Sequence, residues 1–146
     1  MQITRQTDYA IRCVLYLSRA DDRIVMVDEI AQEMGIPKSF LAKILQKLAK
    51  SGMLQSFRGV QGGGKLAKKT RQISLLDVIA AIQGAPAMNK CAVDKKTCHL
   101  SNVCTIHPVW LELRTKVEQH LRKITFEKLA YRNRTVKKFG QHSQSS

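Results

Sequence analysis

Within residues 27–52 a short amphipathic stretch, a three-residue break and a longer amphipathic stretch follow one another, and this order constrains the fold more than any other feature. "VDEIAQEM" (27–34) carries Asp28 and Glu29 where a helix dipole favours acids, in the first turn. Gly35-Ile36-Pro37 then breaks the helix. "KSFLAKILQKLAKSG" follows, with Leu41, Ile44, Leu45 and Leu48 on one face. Lys38, Ser39, Lys43, Gln46, Lys47 and Lys50 occupy the opposite face, and Gly52 is a natural stop. Two helices joined by a tight turn, the second with a cationic outer face, form the helix-turn-helix pattern over about residues 28–51, whose second helix enters the major groove of DNA.

The flanking sequence extends that pattern. "TDYAIRCVLYLSRA" (7–20) places Ala10, Cys13, Val14 and Leu17 at helical spacing, so a first helix is expected, with Cys13 in the core. After the helix-turn-helix, two extended pieces surround the glycine-rich "GVQGGG", which predicts a β-hairpin, the wing, over about 53–73. Ser74 and Asp77 open a fourth helix as a capping-box-like pair, and Gly84 closes it with Pro86 behind. From Pro108 a longer helix carries a seam of Trp110, Leu113, Val117, Leu121 and Ile124. A seam stepping by three and four suits another helix, most simply that of a second copy. The expected fold is mainly α with a small β-hairpin wing: a winged helix-turn-helix over 1–84, a cysteine loop over 85–107, a dimerisation helix and short following helix over 108–130, and a basic, disordered tail over 131–146.

Charge narrows the partner. Lys plus Arg number 25 against 11 Asp plus Glu, a formal charge of +14. This sign and size favour a polyanion, and with the helix-turn-helix they point to double-stranded operator DNA. Lys38, Lys43 and Lys47 are placed to neutralise phosphates or donate to guanine edges, with Ser39 at the helix start. Arg58 and Lys65, on the wing, are candidates for a narrow minor groove, with the glycines letting the backbone pass close to DNA. Gly59, Gly64 and Lys65 imitate the start of a phosphate-binding loop, but Leu66 follows where a hydroxyl is required, so no nucleotide partner is expected. Neither a membrane-length apolar run nor a secretory h-region is present, so no membrane partner is expected and the cytoplasm is the expected location. Paired carboxylates and nucleophile–base sets are lacking as well, so no enzymatic activity is expected.

Three of the four cysteines remain to be explained. Cys91, Cys98 and Cys104 stand with His107 in the spacing C-x6-C-x5-C-x2-H, in a polar, loop-like segment. In a reducing compartment clustered thiols read as metal ligands or redox groups. Structural zinc usually shows close C-x2–4-C pairs. The wider gaps here suit an iron–sulfur cluster, while zinc or a thiol-only redox switch remains the alternative.

Taken together, "TDYAIR", "IAQEMGIPKSFLAKILQKLAKSGML", "SFRGVQGGG", "ISLLDVIAAIQG" and the cysteines behind them resemble the IscR/NsrR family of bacterial winged-helix regulators over nearly the whole chain. The resemblance implies a homodimer that regulates transcription through a labile iron–sulfur cluster sensitive to nitric oxide, oxygen or cluster supply. It makes Cys91, Cys98 and Cys104 the thiolate ligands. For the fourth ligand it offers Asp8 of the partner subunit, which goes with [4Fe-4S] and is preferred, or His107, which goes with [2Fe-2S]. Three features depart from the family pattern: a first cysteine gap one residue longer than expected, "GGG" in the wing where an aromatic or bulky residue often follows the glycine pair, and a lysine-rich recognition face.

Overall fold

The computed structural model describes residues 1–57 and 62–132. Six α-helices and three short strands lie among them: α1 (Arg5–Ser18), β1 (Val25–Met26), α2 (Val27–Met34), α3 (Lys38–Lys50), β2 (Leu54–Phe57), β3 (Gly63–Leu66), α4 (Leu75–Gln83), α5 (His107–Arg122) and α6 (Phe126–Arg132). The protein is thus mainly helical with one antiparallel sheet, ordered β1-β3-β2.

The first helix begins and ends two residues earlier than its apolar spacing predicts. Thr4 caps it by accepting from the Thr7 backbone N–H at 3.1 Å. Beyond Ser18 the chain turns through Asp21 and Asp22, both at positive φ, which a helix cannot continue. α1 and α2 are joined by a polar triad: the Tyr16 hydroxyl donates to Glu29 at 2.6 Å, and Arg23 pairs with the same carboxylate at 2.6 Å. Burial, then Glu29, pushes the Tyr16 phenol up to about 12.

The apolar faces of α1, α2 and α3 meet in one core. Ala10, Cys13, Val14, Ile30, Leu41, Ile44 and Leu48 are completely covered. Gly35 ends α2 in the left-handed conformation (φ 65), as the three-residue break requires. Within the expected wing, β2 and β3 pair antiparallel in the register Leu54↔Leu66 and Phe57↔Gly63, and the sheet ends at Leu66, short of residue 73. The strand β1, which sequence patterning does not predict, adds a third member through Val25↔Gly64 and Met26↔Gly63. This pairing changes the reading of two glycines. A Cβ on Gly63 would lie 2.1 Å from the Val25 carbonyl oxygen, and one on Gly64 would lie 3.2 Å from that of Gln55. Both residues sit inside the sheet, where the lack of a side chain admits neighbouring backbone. Arg58 and the hairpin tip lie outside the described residues, as does the tail beyond residue 132.

Ser74 and Asp77 form the predicted capping box of α4, at 3.1 and 2.8 Å. α5 starts one residue earlier than Pro108 suggests, so His107 belongs to its first turn. α5 packs against α4 and against the 3-10 turn Lys90–Ala92. Trp110, Leu113, Val117, Leu121 and Ile124 are therefore half-buried within one chain. After α5 the chain returns to the first domain. The Phe126 N–H donates to the Ile73 carbonyl at 3.0 Å, the Leu75 N–H donates to that of Ile124 at 2.8 Å, and the Phe126 ring is fully buried. Among the described residues no helix is long and apolar enough to cross a membrane.

Candidate DNA-binding surface and thiol segment

The core fixes which side of α3 faces outward. With Leu41, Ile44, Leu45 and Leu48 buried, Lys38, Ser39, Lys43, Gln46, Lys47 and Lys50 are all exposed. Lys38 pairs with Asp28 at 2.8 Å, both groups well exposed, so the pair is weak and open to competition by phosphate. The Lys47 ammonium donates to the Gln6 side-chain oxygen at 3.0 Å, bringing the start of α1 beside the middle of α3. A groove of ≈780 Å³, lined by Val27, Ala42, Leu45, Ala49, Leu54 and Phe57 among others, runs where α3 meets β2. Lys65 is half-buried within β3, in register with Gln55, so it stands in the strand and not at the tip. Lys68, Lys69 and Arg71, just beyond β3, are exposed and enlarge the basic surface. Their exposure is not visible in sequence, because it depends on how the chain leaves β3. Phe40, 39% exposed among the lysines of α3, is apolar and so does not stand out as a DNA contact from sequence alone.

The thiol segment lies between α4 and α5. It is irregular, built from the 3-10 turns Lys90–Ala92 and Lys95–Thr97. Asp94 caps the second turn by accepting from the Lys96 N–H at 3.0 Å. Farther on, the Ser101 N–H donates to the Cys98 carbonyl and that of Cys104 to the Leu100 carbonyl. Arg114 of α5 donates to the Ala92 carbonyl and is itself held by Glu118 at 2.8 Å. One arginine therefore ties the turn containing Cys91 to the long helix.

Cys91, Cys98 and Cys104 are free and half-buried. Cys13 differs: it is fully buried in the apolar core, and desolvation pushes its thiol up to about 12, which leaves it protonated and inert. His107 is 6% exposed, and its Nδ1 has no hydrogen-bond partner; the buried Ser101 hydroxyl is likewise unpartnered. An orphaned buried imidazole nitrogen suits a metal-side ligand. Asp8 stands half-exposed in the first turn of α1 and pairs with Arg12 at 2.9 Å. The residues before α1 reach the far end of α4: the Thr4 N–H donates to the Gln83 side chain at 3.0 Å, and the terminal amine meets the Met88 sulfur at 3.4 Å. The donor chemistry of the segment fits an iron–sulfur cluster. Among the described residues, however, no three Cys, His, Asp or Glu side chains converge closely enough to hold a metal ion. The donors are present, half-accessible and unassembled.

The comparisons with known proteins agree with the fold. The family model Rrf2, described as an iron-dependent transcriptional regulator, matches residues 3–132. A candidate HTH-type transcriptional regulator of Aquifex aeolicus is 33% identical over 123 residues, 83% of this chain and 85% of that protein. The HTH-type transcriptional regulator IscR of Vibrio cholerae is 29% identical over 137 residues, covering 93% of this chain and 79% of that one. Among solved structures, T. potens IscR superposes with a TM-score of 0.71 at 20% identity, over 100% of this chain and 93% of that one, a likeness of fold. With its winged helix-turn-helix, its cationic second helix and a family match over nearly all described residues, the chain belongs to the Rrf2 family of transcriptional regulators.

Proposed function

We propose that this regulator binds operator DNA as a homodimer and senses nitric oxide, oxygen, redox state or cluster supply through an iron–sulfur cluster held in the thiol segment. The observation that carries the reading is the segregation of α3: four buried aliphatic residues on one side and a largely polar, lysine-rich side facing out, with Phe40 among its lysines. Lys38, Ser39, Lys43 and Lys47 contact the major groove and its phosphates, and Lys65 and Arg58 serve the wing.

Cys91, Cys98 and Cys104 are the thiolate ligands. For the fourth position the sequence favours Asp8 of the partner subunit, while the buried, unpartnered Nδ1 supports His107; we take His107. When bound, the cluster supplies an iron open to small oxidants or nitric oxide, a reactivity the side chains lack. The chain's own part is transmission. Arg114 couples the first cysteine turn to α5, and Phe126 couples the end of α5 to the winged helix. A change of order in the segment therefore reaches the spacing of two recognition helices, which address half-sites about one DNA turn apart. Exposed Val103 (77%) and Ile106 (45%), just before α5, and Val109 (47%), in its first turn, supply apolar surface for the second copy.

Affinity for duplex DNA is expected to fall linearly on a log–log plot against salt. Lys43→Ala should weaken binding and lower that slope by about one. Unchanged affinity across the salt series would remove Lys43 from the contact surface. Binding by the unaltered protein that ignored salt would overturn the DNA reading itself.

A further inference from the structure

Phe40 stands three residues into the recognition helix. It is flanked by Ser39 and shares one flank of α3 with Lys43 and Lys47, at spacings of three and seven. The residue is 39% exposed and is not among the buried residues of the core. Nor is it loose. Tyr9 of α1 meets it edge-on, with centroids 5.5 Å apart and planes at 74°. Tyr9 is in turn covered by the Arg12 guanidinium, 5.7 Å from its centroid. On the same side, Lys47 reaches Gln6 of α1. An aromatic ring is thus clamped on one edge and left open on the side where the helix addresses DNA.

A phenyl ring cannot pair with a phosphate or with the polar edge of a base. The major groove offers one apolar group for it, the C5 methyl of thymine. Lys43 and Lys47, one and two turns farther along the same flank, are placed to hold the phosphate backbone, and the Tyr9 clamp removes rotamer freedom that would otherwise weaken the contact. We propose that Phe40 is a specificity-determining residue that reads a thymine methyl in each operator half-site. The proposal rests on the DNA-binding reading and adds a base identity to it.

The test uses the full chain. A preferred duplex is first selected with it from a random-sequence pool. Each thymine is then replaced in turn by deoxyuridine, which deletes only the methyl. One position per half-site is expected to weaken binding by about fourfold, the effect of withdrawing one buried methyl group. Phe40→Ala is expected to bind the thymine and uracil duplexes equally, with the salt dependence of binding retained. Two results would overturn the inference: no thymine at which deoxyuridine weakens the unaltered protein, or a penalty that persists in Phe40→Ala. Either result, with salt-dependent binding intact, leaves the DNA reading standing. Loss of salt-dependent binding by the unaltered protein fails the DNA reading, and this inference with it.

Discussion

Phe126→Ala is expected to lower the unfolding free energy by about 3–5 kcal/mol, the range for removing a fully buried aromatic ring. The side chain has no exposed surface, and its backbone N–H is bonded to Ile73. It sits where the chain, having run out along α5, comes back onto the winged helix. α6 there touches α1 and the 3-10 turn Thr70–Gln72. Truncation opens a cavity and also frees the end of α5. That loss is a large part of the ~5–15 kcal/mol that holds a domain of ordinary size together. Urea unfolding gives the measurement: the midpoint should drop sharply, while Ile24→Ala, at a half-exposed position, should shift stability by no more than about 0.5 kcal/mol. A Phe126→Ala protein as stable as its parent would mean that α6 is not anchored as described, and would remove one of the two ties proposed for transmission.

The second large effect concerns the thiols. Cys98→Ala is expected to abolish iron and sulfide incorporation and leave a folded protein, because Cys98 lies half-exposed in an irregular segment and supports no core. Cys13→Ala is the matched control. Its thiol lies in the apolar core and is held protonated, so this variant should keep its iron and lose only some stability. Full iron content in Cys98→Ala would refute the ligand assignment. Loss of iron in Cys13→Ala with stability unchanged would place a ligand on α1 and refute it equally.

Much of the fold is legible in the chain because its signals are local. The aliphatic spacing in α3, the Ser74–Asp77 cap and the Gly35 break each act within a few residues, and each appears in the structure as read. What was missed depends on distant partners. Two residues of β1 are too few for an alternating pattern, and they become a strand only because Gly63 and Gly64 let their backbone approach. For the same reason those glycines read as a hairpin tip when they are sheet interior. Phe126 is a single aromatic residue in a polar stretch, so no periodicity marks it as core. The seam residues of α5 are half-buried within one chain, where α5 packs against α4 and the first cysteine turn, contacts that its spacing does not reveal. At the thiol segment, the cysteine spacing marks the candidate donors, but spacing alone does not place them in space, and among the described residues they do not converge. The orphaned Nδ1 of His107 is visible only once its burial is known.

The most direct test of the central claim is the iron and acid-labile sulfide content, with the visible spectrum, of protein purified without oxygen. A coloured protein with iron and sulfide in equal amounts is expected, at about two of each per chain with His107 completing the site; about four of each would move the fourth position to Asp8 of the partner subunit. A colourless protein without sulfide, carrying zinc or no metal, would contradict the claim and leave a DNA-binding regulator whose thiols do something else.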